Sequence, residues 1–77
     1  MSYGDSTIPE KRMTVQVNGE AIALEPDSSL AALVARRAPQ PPFAVEVNRR
    51  LVRRNAYADT PLHDGDVVEI VTLVGGG

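Results

Sequence analysis

The chain has 77 residues, 43% hydrophobic and 23% charged, with a formal net charge of −2. That is one small domain, mildly acidic, with too little core for an elaborate active site, and the charge balance argues against a general nucleic-acid binder. There is no cysteine and one histidine, His63, which excludes disulfides, thiolate metal sites, cysteine nucleophiles and histidine-rich metal clusters.

Residues 1–12 carry Ser2, Gly4, Ser6 and Pro9 without apolar periodicity. They are expected to be a disordered N-terminal extension. They also lack the apolar core of a signal peptide, and no run in the chain approaches the ~20 apolar residues of a membrane span. A cytoplasmic protein is therefore expected, with no membrane partner. Met13, Val15 and Val17 alternate with Thr14, Gln16 and Asn18, the period-two pattern of a half-buried strand. Asn18-Gly19 follows, a dipeptide suited to a type I′ hairpin turn, where both positions need positive φ. A second strand runs from Glu20 to Leu24.

Pro26-Asp27-Ser28-Ser29 then breaks the strand and offers helix caps. Leu30, Leu33 and Val34 form one apolar stripe, Arg36 and Arg37 suit a last turn, and Pro39, Pro41 and Pro42 end the run. The helix is expected to be about ten residues, roughly 15 Å long. Phe43, Val45 and Val47 mark a third strand, Asn48-Arg49-Arg50 a turn, and Leu51-Val52 a brief fourth strand. Residues 53–63 are irregular, with a helical turn expected near Asn55 to Ala58. His63-Asp64-Gly65-Asp66 reads as a tight turn, with positive φ at the glycine. Val67 to Val74 is the longest β-prone run and is placed centrally in the sheet. The reading is an α+β fold with four to five strands and one helix on one face. The folded domain spans 13–74 and a flexible glycine tail spans 75–77.

At ~7% average glycine usage, three glycines in three given positions arise by chance about three times in ten thousand. A frayed terminus explains such a tail simply. A functional explanation is also available. Without Cβ atoms, Gly75, Gly76 and Gly77 could thread a narrow channel in a partner and deliver a carboxylate to a reaction centre.

Several segments resemble ThiS-type sulfur carriers of thiamine biosynthesis. They are Met13-Thr-Val-Gln-Val-Asn-Gly-Glu20, Ala44-Val-Glu-Val-Asn48, Leu51-Val-Arg-Arg54, Leu62-His-Asp-Gly-Asp-Val-Val-Glu-Ile-Val71 and Val74-Gly-Gly-Gly77. Together they run across residues 13–77. The family commonly has proline where this chain has Arg53. The resemblance implies a ubiquitin-like β-grasp fold, with the first and last strands parallel and adjacent at the sheet centre. It also implies a chemistry in which the chain is a carrier and not an enzyme. A ThiF-like adenylyltransferase would use ATP to adenylate the Gly77 carboxylate. A sulfur donor fed by a cysteine desulfurase would then convert the adenylate to a thiocarboxylate. A ThiG-like thiazole synthase would take the sulfur. The carrier would hold no tightly bound cofactor and be a monomer when free.

Beside the tail, two surface features invite a docking role. Arg49, Arg50, Arg53 and Arg54 put four positive charges in six residues. They fit either a solvated turn or a patch that meets acidic partner surfaces. No aromatic residues are interleaved to stack bases, so nucleic acid is not the expected partner. In the last strand, Val68 and Ile70 fit a core face, while Val71 and Leu73 share the face of Glu69. Those two are either covered by a loop or form an apolar docking patch. His63 reads as a solvated turn residue without an obvious partner, and Asp64 and Asp66 as turn formers. No nucleophile–base–acid set is visible. The rivals are the small subunit of molybdopterin synthase, a ubiquitin-like modifier, and a β-grasp interaction module with an idle tail.

Overall fold

The computed structural model describes residues 12–73. The elements are β1 (Met13–Val17), β2 (Glu20–Leu24), α1 (Leu30–Arg37), β3 (Phe43–Val47), β4 (Arg50–Val52), a 3₁₀ turn (Arg54–Ala56) and β5 (Val67–Thr72). They form one five-stranded sheet in the order β2-β1-β5-β3-β4. β1 and β5 are parallel and the other pairs are antiparallel. This is the mixed sheet with one helix that the sequence leads one to expect, with β5 central.

Alternation decides the two faces. Met13, Val15 and Val17 of β1 are buried, as are Val45 of β3 and Val68 and Ile70 of β5. Leu30 and Leu33 of α1 share one core cluster with them. Ser29 caps the helix by accepting the Ala32 N–H at 3.2 Å. Two further N–H groups of the first turn, which the helix itself cannot satisfy, are taken up by the 53–66 loop. Leu30 donates to the Thr60 carbonyl at 2.8 Å and Ala31 to the Tyr57 carbonyl at 3.1 Å. That loop, irregular in sequence, thus closes the helix end and contributes Tyr57 and Leu62 to the core.

The helix has eight residues, shorter than the ten expected. It stops at Ala38, which takes a left-handed conformation (φ 45°) and returns its N–H to the Val34 carbonyl at 2.8 Å. The capping conformation comes one residue before Pro39 and without a glycine. β4 begins one residue earlier than expected, at Arg50, and the 3₁₀ turn begins at Arg54, one residue before Asn55.

Two hairpins flank β5, and both turn through asparagine at positive φ: Asn18 (51°) with Gly19 (86°), and Asn48 (52°) with Arg49 (70°). Each asparagine also reaches across to β5. The Asn18 carboxamide accepts the Ile70 N–H at 2.8 Å and donates to the Ile70 carbonyl at 3.1 Å. It thereby acts as one more peptide unit of β1, extending the ladder beyond Val17. Asn48 accepts the Val67 N–H at 2.9 Å and donates to Asp66 at 3.0 Å. At the start of β1, Asp64 accepts the Thr14 N–H at 2.8 Å. Gly65 turns at φ 89° and its N–H meets the Thr14 carbonyl at 2.8 Å.

The fold predicts a sharp contrast between two leucines. Leu33 is 1% exposed and Leu51 is 67% exposed. Leu33→Ala should lower the unfolding free energy by about 2–5 kcal/mol, while Leu51→Ala should change it by less than about 0.5 kcal/mol. Urea denaturation followed by circular dichroism measures both.

Candidate functional site

The site follows from what β5 does at its end. Its core-facing residues Val68 and Ile70 fix the register, so Val67, Glu69 and Val71 point to the opposite face. Pairing with β3 continues past Thr72, because Leu73 donates its N–H to the Pro42 carbonyl at 2.8 Å. The chain therefore leaves the sheet beside Pro42. Val71 and Leu73 are 47% and 49% exposed. No described loop covers them, so the covered alternative does not hold among the described residues.

Register sets the neighbours of that patch. Ala44 lies opposite Val71, Glu46 opposite Glu69, and Leu51 opposite Glu46. The outer face is thus apolar around two carboxylates that face each other across β3 and β5. Such a like-charged cross-strand pair lowers stability, and no cation among the described residues pairs with it.

The four arginines lie at the two ends of β4. Arg50 pairs with Val47 beside the Asn48 turn. Arg53 and Arg54 stand past the end of β4, at the end of the sheet where β5 exits. None of the four forms an ion pair among the described residues, where Glu20 pairs with Arg37 at 3.5 Å. Arg53 and Arg54 border a groove of about 410 Å³ whose walls include Pro41, Pro42, Phe43, Leu51 and Tyr57. The groove is a composite of three chain segments, and nothing in the sequence pattern marks it.

Other candidates settle as turn residues. His63 is mostly exposed, but it is not without a partner. Its Nδ1 lies 3.7 Å from Asp66, whose carboxylate also accepts the His63 N–H at 2.8 Å. Asp64 and Asp66 shape the turn through these contacts and the bond to Thr14. No group of three or more metal-ligating side chains occurs among the described residues. Likewise no described helix is long and apolar enough to cross a membrane. Gly75, Gly76 and Gly77 lie outside the described residues, as does the expected 1–12 extension apart from Arg12.

The family model of the ThiS family matches residues 14–77. The chain belongs to the ThiS family. The fold agrees with solved relatives: a crystal structure of the thiamine biosynthesis protein ThiS from Geobacter metallireducens superposes with a TM-score of 0.71 at 28% identity. It covers 84% of this chain and 100% of that one. A solution structure of a thiamine biosynthesis protein from the same organism gives a TM-score of 0.68 at 28% identity, covering 84% and 88%. The chain is also 35% identical over 73 residues to the uncharacterised protein ycf40 of Porphyra purpurea, covering 87% of this chain and 96% of that one. As a ThiS-type β-grasp protein, the chain is a small sulfur carrier of thiamine biosynthesis.

The outer-face geometry carries a stability prediction. Glu69→Lys replaces a repulsive cross-strand pair by an attractive one. The unfolding free energy should rise by roughly 0.2–1 kcal/mol. A fall on urea denaturation at low salt would mean that the two carboxylates do not repel.

Proposed function

We propose that the chain carries sulfur on its own main chain, as a thiocarboxylate at Gly77. The observation that supports this is the exit of β5. A central strand, held on both sides, ends at an exposed apolar pair and is followed in sequence by Gly75, Gly76 and Gly77. A rigid stem sets where a partner finds the tail. The absence of side chains on the tail lets backbone enter a narrow channel.

The chemistry follows from the weakness of a carboxylate as an electrophile. Its negative charge repels nucleophiles and it has no leaving group. A ThiF-like adenylyltransferase supplies ATP; the Gly77 carboxylate attacks the α-phosphorus and pyrophosphate leaves. The resulting mixed anhydride has lost the charge and gained AMP as leaving group. The outer sulfur of a persulfide on a donor fed by a cysteine desulfurase then attacks the carbonyl and AMP leaves. A thiol of the donor or a small-molecule reductant cleaves the resulting acyl disulfide, forming a disulfide and releasing the Gly77 thiocarboxylate. The thiocarboxylate is a good nucleophile, and a ThiG-like thiazole synthase takes its sulfur in the cytoplasm. No side-chain thiol of this chain is needed at any step, in keeping with a cysteine count of zero.

Val71 and Leu73 form the apolar part of the docking surface and Arg53 and Arg54 its charged border. Arg49 and Arg50 lie at the other end of the β3–β4 hairpin and would meet a separate region of a partner. The ThiS family match favours the thiamine branch over the molybdopterin one.

Intact-mass measurement tests this reading. Incubation with a ThiF-like enzyme, ATP and a sulfur donor should add the mass difference between sulfur and oxygen, and deletion of Gly77 should abolish the gain. A chain that stays unchanged in both forms is an interaction module instead. Leu73→Glu should keep the circular dichroism spectrum and lose adenylation at least tenfold; unimpaired adenylation would remove Leu73 from the docking surface.

A further inference from the structure

Strand β4 is a short outer edge of the sheet, and it runs along the groove described above. In the order β2-β1-β5-β3-β4 it has β3 on one side and, among the described residues, no strand on the other. The two-residue turn at Asn48 and Arg49 makes Val47 and Arg50 a hydrogen-bonded pair, and Val45 and Val52 the next one. The intervening Leu51 therefore turns its N–H and C=O away from β3, and neither has a partner among the described residues. Its side chain is exposed and lines the groove, which is walled by Pro41, Pro42 and Tyr57 and bordered by Arg53 and Arg54. Arg53 keeps extended backbone (φ −77°, ψ 153°) and so shares the face of Leu51, two residues on.

Each feature restricts the occupant. A residue that offers both N–H and C=O at a sheet edge can exchange two hydrogen bonds with another extended backbone. Apolar walls take up an apolar side chain from it. Two guanidiniums without ion-pair partners among the described residues match a carboxylate. Among the described residues no carboxylate, carboxamide or aliphatic hydroxyl lines the groove, so nothing of that kind reads the hydrogen bonds of a sugar or a base. A peptide segment meets all three features. Two copies of this chain meeting edge to edge would bring their arginines together, which disfavours self-pairing.

We infer that β4 receives an added strand from a partner protein, an extended segment in which an apolar and an acidic residue stand two positions apart. The apolar side chain lies in the groove beside Leu51, and the carboxylate meets Arg53 and Arg54. Alternation sets the spacing, since residues two apart in a strand share a face. The inference deepens the reading of Arg53 and Arg54 as a charged docking border by giving the partner's side of it. It does not require that sulfur be carried at Gly77.

The test uses the full chain, isotopically labelled, and a capped peptide with valine at its centre and glutamate two residues to either side. Either strand direction then presents a carboxylate to Arg53. NMR titration should give saturable shifts centred on Leu51, Val52 and Arg53 below about 1 mM peptide, and the Leu51 amide should gain protection from hydrogen exchange. The glutamine analogue of the peptide should bind about fivefold more weakly, as should the glutamate peptide to the double variant Arg53→Gln, Arg54→Gln. N-methylation of the central residues of the peptide should abolish binding. Absence of shifts, equal affinity for the glutamine analogue, or shifts without Leu51 protection overturns the added strand. So do shifts of the same size and place from inorganic phosphate alone, which make the arginines a plain anion site. Shifts that grow with protein concentration in the absence of peptide overturn it too, in favour of a second copy. The intact-mass experiment is independent of this one. A sulfur gain without peptide binding sinks the added strand alone, while peptide binding without a gain sinks the carrier chemistry alone.

Discussion

Strand β5 has a neighbour on each side, and the rest of the molecule is arranged to keep it so. A parallel pair cannot be closed by a short turn, so β1 and β5 are joined only through all the elements between them. Direct strand pairing between them is brief, Gln16 with Val67 and Val17 with Val68. Asn18 lengthens it. Its side chain supplies both the acceptor and the donor that a next residue of β1 would have offered to Ile70. On the other side, Asn48 holds the start of β5 by accepting the Val67 N–H, while its amide donates to the Asp66 carboxylate. Each turn asparagine thus reverses its hairpin at positive φ and fastens that hairpin to the central strand.

This constraint explains the division of labour along β5. Val68 and Ile70 bind the strand to the core, and Asn18 grips the Ile70 peptide two residues beyond the direct pairing with β1. Past that point only β3 holds the strand, to the Leu73–Pro42 bond. The strand is therefore held from both sides in the core and from one side at its end. In the proposed carrier chemistry the reacting group is a main-chain carboxylate and the catalytic groups are those of partners, so an exposed strand end is no loss.

Much of the fold was legible because alternation in β1, β3 and β5 is regular and Asn18-Gly19 has few other uses. The parallel pairing of first and last strands was not in the periodicity; it came from segments resembling ThiS carriers. The helix end before Pro39, with Arg36 and Arg37 in the last turn, was legible; its left-handed cap at Ala38 was not, since that conformation favours glycine and is set by the chain around it. Val71 and Leu73 were placed on the outer face by parity alone. Parity could not say whether a loop covered them. The arginine run looked like one patch because sequence counts residues, whereas the β3–β4 hairpin sends Arg50 and Arg53 toward opposite ends. The Glu46–Glu69 pair and the Arg53–Arg54 groove arise from register and from segments distant in sequence, and no local pattern announces either. The side-chain role of Asn18 was hidden behind its turn role, since one residue does both.

The account stands on Asn18 fastening the central strand. The direct test is amide hydrogen exchange with urea denaturation of Asn18→Gly, which keeps positive φ accessible and removes both side-chain bonds. The unfolding free energy should fall by about 1–2 kcal/mol, and the Ile70 amide should lose more protection than Val15 in β1. An unchanged unfolding free energy with full protection at Ile70 would contradict the claim and leave β5 held by backbone pairing alone.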